Sequence, residues 1–276
     1  MAVPNAHRQP SVDPRKTSDS DSLRASYFQG CQLNIQNAKN REVTLQEPIE
    51  PKYERFVYSG FEAAHAWAVV YGANFDHRLH SARHSTMEHQ RLVLGDMHID
   101  TGSYDFPVIA QGVMPRDMIC IGMVVEGLQG TRCNTRHVVE NDVQVYPHGV
   151  ELLYHASCAS RWITLTLPQA AFQEMAVERT GRALDIPRGV VSTLLLQRGH
   201  RAMLQQLVDD ALLLSRSLAH EGISSQLGVA VEQTILRAYV DALCGAQTGR
   251  GGATGAAARR HHRLILAWER LVLDGP

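Results

Sequence analysis

Short hydrophobic runs separated by turn residues fill the chain from about residue 40 to residue 167. Residues 92–94 are hydrophobic, Gly95 and Asp96 follow as a turn, and residues 97–100 form the next run. Runs rich in Val, Ile, Leu and Tyr at this spacing are typical of the strands of a β-sandwich or barrel. Further strands are predicted at residues 106–113, 118–125, 138–139, 144–146, 152–154 and 162–167. Residues 62–70 interrupt the pattern, because they are rich in alanine and predict a helix.

From residue 168 onward the apolar residues recur every three or four positions, which is the spacing of amphipathic helices. Pro168 favours a helix start, because the first turn does not need the N–H that proline lacks. A second helix is predicted from about residue 198 to residue 219, and Ser224 with Ser225 can cap a third. The pattern therefore predicts the fold class α+β, with an N-terminal β-barrel or jelly roll over residues 27–167 and an α-helical region over residues 168–244.

Both ends of the chain differ in composition from the rest. Residues 1–26 are polar and contain three prolines and a Ser/Asp run, so we expect a disordered leader. Residues 245–258 are rich in glycine and predict a flexible linker. Residues 259–276 begin a new amphipathic helix, for which little of the chain is left to pack against. This arrangement suggests a domain that is cut short.

Composition places the chain among globular proteins and excludes several other classes. Its 276 residues are 44% hydrophobic and 20% charged, which suits a chain with a sizeable core. The formal net charge is −1, whereas a surface that binds nucleic acid throughout would be strongly basic. The sequence has neither a membrane-spanning apolar stretch nor the apolar region of a signal peptide, so we expect no membrane contact. The five cysteines are odd in number and widely spread, which indicates reduced thiols and a cytoplasmic location.

The order of these parts resembles the AraC/XylS family of bacterial transcription regulators, in particular the ethanolamine operon regulator type. The likeness lies in residues 92–125 and 147–167 of the predicted barrel, in residues 199–218, and in the final segment RRHHRLILAWERLVLDGP at residues 259–276. In that family the matching final segment is the first helix of the DNA-binding domain, and two helix-turn-helix units follow it. The resemblance implies a cupin-like barrel that senses a small molecule, a homodimer formed through the helices, and DNA contact only through units absent from this sequence.

The second predicted helix carries a leucine stripe that suits dimerisation. Leu204, Leu207, Leu214 and Leu218 recur at helical spacing along one face. A helix pair between two copies needs such a stripe, but a helix that packs on its own barrel needs one as well. The sequence alone leaves both interpretations open.

Positive charge is concentrated in residues 77–91, which read HRLHSARHSTMEHQR. A guanidinium can hold a phosphate or carboxylate with two parallel hydrogen bonds. The candidate residues for binding an anionic ligand are therefore Arg78, His80, Arg83, His84 and Arg91. Arg78 and Arg83 loosely resemble the paired-arginine element of PilZ-type cyclic di-GMP receptors, although their spacing differs by one residue. This resemblance implies a cyclic dinucleotide as one possible effector.

Two other interpretations of the same segment remain open. His80 and His84 are four residues apart and could share a helix face, which would suit zinc, but the three arginines nearby would repel a cation. The segment could also be a solvated basic connection between two elements. We therefore predict no metal ligand here.

The interior of the predicted barrel is a second candidate site for a ligand, because barrels of this size can enclose a small molecule. Aromatic and flexible apolar side chains on the predicted strands could line it, although such residues also form ordinary core. They are Tyr104, Phe106, Ile121, Met123, Tyr146, Tyr154 and Trp162.

An enzyme remains the alternative to a binding protein. A cupin-like enzyme or isomerase would need a metal site, commonly a close His-x-His with a nearby Glu, and no His-x-His occurs in the sequence. The glycine and serine motifs of nucleotide-binding proteins and serine hydrolases are absent as well. We therefore predict no catalytic residues and no cofactor, and we expect a small-molecule effector instead.

Overall fold

The computed structural model describes residues 49–59, 66–79 and 85–248. The predicted leader, the residues of the linker beyond 248 and the predicted final helix lie outside these ranges, as do His80, Arg83 and His84. None of the helices in the described part of the chain is long and apolar enough to cross a membrane.

Fourteen strands form the largest share of the described residues. Their bounds are β1 (Lys52–Ser59), β2 (Ala66–Val70), β3 (Ala73–Leu79), β4 (Thr86–Leu94), β5 (Met97–Tyr104), β6 (Val108–Val113), β7 (Met118–Glu126), β8 (Thr131–Cys133), β9 (Arg136–His137), β10 (Asp142–Tyr146), β11 (Glu151–Ala156), β12 (Ser160–Pro168), β13 (Ser192–Leu195) and β14 (Gln247–Thr248). Neighbouring strands pair in the antiparallel sense.

These strands form two sheets. The larger sheet has eight strands in the order β1-β4-β5-β12-β7-β10-β13-β14, and the smaller has six in the order β2-β3-β6-β11-β8-β9. Within the described residues both sheets are open, so the closed barrel expected from strand spacing is not what the chain forms. Strand spacing predicts the number of short strands but not how the edges meet, because edge pairing depends on residues far apart in sequence.

Within the part of the chain that the structure describes, three α-helices follow the main run of strands: α1 (Gln169–Thr180), α2 (His200–Ser217) and α3 (Ser225–Cys244). Ser224 caps α3, because its hydroxyl oxygen accepts a hydrogen bond from the backbone N–H of Leu227 at 3.3 Å. The α+β prediction and the capping serine are thus confirmed, and both longer helices begin and end within a few residues of the predicted bounds.

Several local predictions were wrong. Residues 66–70 form strand β2 and not a helix, because pairing with β3 outweighs the helix propensity of their alanines. Residues 138–139 lie outside any strand. Strands β13 and β14 add a β component to the chain segment predicted to be helical and to the start of the predicted linker, and β13 pairs with β10 of the large sheet.

The large sheet separates two hydrophobic cores. Its outer face packs against the helices, with Leu204, Val208, Ile235 and Tyr239 buried against the sheet residues. Its inner face packs against the smaller sheet. Each central strand of the large sheet therefore contributes alternate side chains to two different interiors.

Candidate functional site

The two faces of the large sheet differ in chemistry. On the helix-facing side, the two strands β5 and β12 present apolar side chains such as Met97, Ile99 and Leu165. On the side that faces the smaller sheet, β5 presents His98 and Asp100, both of which are buried. Strand alternation places these two sets of residues on opposite faces, so the polar side chains gather between the sheets.

A polar row crosses this inner face from strand to strand. In the pairing register, Gln144 lies opposite Gly122, Gly122 lies opposite Thr164, and Thr164 lies opposite Asp100. Asp100 in turn lies opposite Arg91 on β4. Cross-strand neighbours on one face stand about 5 Å apart, so these residues are adjacent although they are far apart in sequence.

A cavity of about 440 Å³, counting its open side, lies between the sheets over part of this row. None of the residues that line it carries a formal charge. The lining is mainly aromatic and aliphatic, with Gln144 and Thr164 as side chains that can form hydrogen bonds. The aromatic lining consists of Phe75, Tyr104, Tyr146, Tyr154 and Trp162.

One polar atom at the cavity wall is unsatisfied. The hydroxyl of Thr164 is buried and has no hydrogen-bond partner within the described residues. Beside it, a Cβ on Gly122 would be in ordinary contact with its neighbours, at 3.4 Å from Cε2 of Tyr146 and 3.6 Å from Cγ2 of Thr164. Buried hydroxyls are nearly always paired, so the Thr164 hydroxyl is an exception in this wall.

A chain of hydrogen bonds joins the two sheets next to the cavity. The Tyr104 hydroxyl on the large sheet lies 2.9 Å from Nε2 of His77 on the smaller sheet. Nδ1 of His77 lies 2.9 Å from the carbonyl oxygen of Phe75. Because a carbonyl only accepts, Nδ1 carries the proton and Nε2 accepts from Tyr104. Burial lowers the pKa of His77 to about 4, so the imidazole is neutral at physiological pH.

A buried ionic cluster fixes the β2–β3 hairpin to the large sheet. Asp100 is fully buried, and its Oδ1 accepts from Nε of Arg91 at 2.6 Å and lies 2.9 Å from Nε2 of His89. Oδ2 accepts from the backbone N–H of Tyr71 at 2.9 Å, and Arg91 donates from Nη2 to the carbonyl oxygen of Ala68 at 2.8 Å. The hairpin that supplies Val69 and Val70 to the cavity is therefore held by Asp100 and Arg91.

His98 belongs to the same region. Its ring stacks on that of Tyr71, and its Nδ1 is buried without a hydrogen-bond partner in the described part of the chain. Burial lowers the pKa of His98 to about 4, although nearby Asp100 acts in the opposite direction. His98 is therefore a second buried imidazole that is uncharged at neutral pH.

The structure describes two residues of the predicted anion site, Arg78 and Arg91. Arg78 lies on β3 with an exposed side chain, while its neighbour His77 points inward. Arg91 lies on β4 and is engaged by Asp100 and by the ring of Tyr71, whose centroid is 5.7 Å from its guanidinium carbon. His80, Arg83 and His84 lie outside the described residues, so the site remains a prediction.

The four leucines of the predicted dimerisation stripe lie at different depths. Leu204 is fully buried in the helix-side core. Leu207 and Leu218 are half-buried, and Leu214 is 41% exposed. Self-packing accounts for Leu204 and for part of Leu207, and dimerisation through the stripe stays a prediction.

Only some of the residues predicted to line the barrel interior border the cavity. Tyr104, Tyr146, Tyr154 and Trp162 line the cavity. Phe106 is buried between the sheets but does not border the cavity, and Ile121 belongs to the helix-side core. Met123 borders the cavity, although it is also part of the helix-side core.

Sequence analysis overlooked Thr164, Gln144, Asp100 and His77. A usable signal was present on β12, where Thr164 and Thr166 alternate with Ile163, Leu165 and Leu167. Polar residues at every second position of a strand that is buried on both faces indicate a polar interior.

The two buried thiols of Cys120 and Cys133 offer little reactivity. Burial raises the pKa of Cys120 and of Cys133 to about 12, so both thiols are protonated. Among the described residues, no group of three or more His, Cys, Asp or Glu side chains is placed to hold a metal ion.

Comparisons with known proteins give two solved structures that are similar in part. No family model and no curated protein matches the sequence. The crystal structure of the AraC-like transcriptional activator CuxR is 15% identical, with 80% of each chain covered and a TM-score of 0.44. The crystal structure of AerE from Microcystis aeruginosa is 14% identical, covering 40% of this chain and 49% of that one, with a TM-score of 0.28. Neither similarity is strong enough to establish a function.

Proposed function

We propose that this chain is the effector-sensing and dimerising part of an AraC-type bacterial transcription regulator, whose full-length form binds promoter DNA in response to a small molecule. The observation that carries the proposal is the cavity between the sheets, with the unpaired hydroxyl of Thr164 at its wall. Ligand sites of soluble proteins are mostly apolar concavities with a few fixed polar groups, and this cavity has that composition.

The position of the helices supports a sensing role. On β12, Trp162 and Thr164 face the cavity, while Leu165 and Leu167 pack in the helix-side core. Only the thickness of one sheet separates the ligand from the helical layer. A ligand that shifts these strands therefore changes the support of α2 and α3, which couples the two sites.

The helical layer is fixed to the rest of the chain by specific contacts. Arg161 on β12 pairs with Asp209 on α2, and Arg201 on α2 donates to the carbonyl oxygens of Val124 and Val125 at 2.8 and 3.0 Å. Arg179 on α1 forms two 2.6 Å hydrogen bonds with Asp241 on α3. These contacts support the transfer of strand movement to the proposed dimer surface.

Two measurements test the sensing role. A panel of bacterial metabolites is screened for compounds that raise the melting temperature of the purified chain, since a ligand that binds only the folded state stabilises it. The chain is then joined to the two helix-turn-helix units of an AraC-type regulator, and a reporter gene is read with and without each compound that binds. We expect at least one compound to raise the melting temperature and to change the reporter signal. If no compound does either, the proposal is contradicted.

A cavity-filling variant locates the effector. We expect Gly122→Leu, which places a side chain in the cavity, to abolish the reporter response. Gly245→Ala is the matched control, because Gly245 lies at the end of α3 and has a φ of −87° that alanine tolerates. A response that survives Gly122→Leu would place the effector elsewhere.

An anionic effector such as cyclic di-GMP at the basic segment is the second candidate. Its support is Arg78, which is exposed on β3, and Arg83, which follows it in the next segment of the sequence. Calorimetric titration with cyclic di-GMP should then show a loss of about tenfold or more for Arg78→Ala and for Arg83→Ala, since each charge-assisted bond is worth roughly 1.5–3 kcal/mol. Arg132→Ala, on β8, is the control.

A further inference from the structure

We propose that strand β2 and the turn at Tyr71 and Gly72 form an acid-sensitive latch, which protonation of His98 releases from the large sheet. Release uncovers the inner face of the large sheet along β5. This device acts in the chain without any ligand, so it goes beyond the proposed sensing function. Three observations carry it: the contacts that hold the turn, the surroundings of His98, and the edge position of β2.

Tyr71 attaches the turn to three side chains of the large sheet. Its backbone N–H donates to Oδ2 of Asp100 at 2.9 Å, its ring stacks on that of His98, and the guanidinium carbon of Arg91 lies 5.7 Å from the centre of the same ring. Arg91 also donates to the carbonyl oxygen of Ala68 in β2 at 2.8 Å. The latch is therefore held by a small group of charged and aromatic contacts beside His98.

The surroundings of His98 suit a neutral ring and not a charged one. The residue is buried, and its Nδ1 has no hydrogen-bond partner among the described residues. A neutral imidazole can place its one proton on Nε2, but an imidazolium carries a proton on both nitrogens. Protonation in the closed state would therefore leave a buried N–H without an acceptor, which costs free energy.

The charged groups around His98 do not remove this cost. Burial has the largest effect, opposes the charged ring and lowers the pKa of His98 to about 4. Asp100 and Asp96 favour the charged ring, whereas Arg91 opposes it. The Asp100 carboxylate is already engaged by Arg91 and lies 2.9 Å from Nε2 of His89. Moving the turn away admits water to the ring, which then titrates near its ordinary pKa of about 6.5.

The edge position of β2 makes the latch the part that moves. β2 is the edge strand of the smaller sheet and pairs with β3 alone in the described part of the chain, and this ladder is irregular between Trp67 and Val70. His98 lies on β5, which is paired on both sides, with Val93 of β4 opposite it on one side and Thr166 of β12 on the other. Local opening begins where the fewest contacts are lost, so a charged His98 releases β2 and the turn before it disturbs β5.

Hydrogen–deuterium exchange read by mass spectrometry separates local release from global unfolding. The full 276-residue chain is labelled at pH 7.5, 6.0 and 5.0, and the rates are corrected for the intrinsic pH dependence of amide exchange. A histidine with a pKa of about 4 when covered and about 6.5 when open predicts a roughly 25-fold rise in opening between pH 7.5 and pH 5.0. We expect this rise in peptides that cover residues 66–72, while peptides that cover β12 remain protected over the same labelling times.

Two variants connect the rise to His98. His98→Phe keeps a ring against Tyr71 and removes the titratable nitrogens, so exchange over residues 66–72 should no longer rise as the pH falls. If phenylalanine prevents folding, His98→Met removes the same nitrogens with a side chain that adapts to irregular gaps. His137→Gln, at an exposed position on β9, is the matched control and should keep the wild-type rise.

Three results would overturn the latch. They are the absence of any rise over residues 66–72 in the wild type, a rise that survives in the His98 variants, and a loss of protection in β12 that equals the loss over residues 66–72. The last result would show that acid unfolds the whole chain. None of these results bears on the sensing function, which the metabolite panel and the reporter gene test separately.

Discussion

Two buried imidazoles on the inner surface of the large and small sheets make folding depend on pH. Burial lowers the pKa of His77 and of His98 to about 4, whereas an unfolded histidine titrates near 6.5. Between these values the unfolded chain binds more protons than the folded chain. The stabilisation is therefore complete above about pH 6.5 and is lost as the pH falls toward 4.

We predict that His98→Phe reduces this pH dependence. Phenylalanine keeps a ring against Tyr71 and removes the unpaired Nδ1, so stability at pH 7.5 should be equal or higher. Urea unfolding at pH 7.5, 6.0 and 5.0 should show a smaller fall than in the wild type, with about 1.4 kcal/mol recovered for each unit of pKa difference removed. His148→Asn, at an exposed turn, should retain the wild-type slope, and an unchanged slope in His98→Phe would contradict the assignment.

Asp100 is the residue whose charge most affects the inner surface. It accepts hydrogen bonds from the backbone N–H of Tyr71 and from Arg91, and it is fully buried. We predict that Asp100→Asn lowers the free energy of unfolding by about 3 kcal/mol, because the Arg91 charge is left without a counter-charge. Urea unfolding measures the loss. Asp209→Asn breaks a more exposed ion pair with Arg161 and should cost about 1 kcal/mol or less; equal losses would show that burial does not decide the effect.

How far individual residues could be predicted depends on the type of information needed. Tyr146, Tyr154 and Trp162 were predictable as lining residues, because aromatic residues on strands carry a signal by themselves. Thr164 was not, because its significance comes from lying beside Gly122 in a strand register that links distant parts of the chain. A single sequence does not determine that register.

At the scale of elements, the strands with a clear alternating or continuous hydrophobic pattern were predictable and β2, β13 and β14 were not. β2 is rich in alanine, so its local propensity points to a helix while its pairing with β3 decides the outcome. β13 and β14 have four and two residues, which is too short for a periodic pattern. Helices α2 and α3 were predictable, because apolar positions that repeat over several turns outweigh the propensities of single residues.

The element with the most direct test is α2. Leu214 is 41% exposed, and Met203, which lies on the same side of the helix, is 44% exposed. We predict that the chain is a dimer at micromolar concentration and that Leu214→Arg makes it a soluble monomer, measured by light scattering. A specific interface of about 1,600 Å² is enough to hold such a dimer.

Val139→Arg is the matched control for this substitution. Val139 is 51% exposed but lies in the loop between β9 and β10, outside α2 and its leucine stripe. The control variant should remain dimeric. A wild-type chain that is monomeric by itself, or a Leu214→Arg variant that stays dimeric, would show that α2 does not form the interface.

At the scale of the whole molecule, we predict that this chain alone does not bind operator DNA with sequence specificity. Its formal net charge is −1, and reading of base edges requires an element placed in the major groove. The basic residues at 259–263 can contribute only salt-sensitive contact with phosphates. Gel-shift assays with candidate promoter fragments at 50 and 200 mM salt measure this, and tight, sequence-specific binding at the higher salt would contradict the prediction.

The alternation of the large sheet also bears on how such a protein can change over evolution. Along β12, substitutions at Trp162 and Thr164 alter the wall of the cavity, which is the proposed ligand site, whereas substitutions at Leu165 and Leu167 alter the support of the helices. Neighbouring residues of one strand are thus constrained separately, one set by the cavity and the other by the packing of the helices. Ligand preference can drift through one set while the output surface is conserved through the other, so a lineage of such chains can acquire new effectors without redesigning its response.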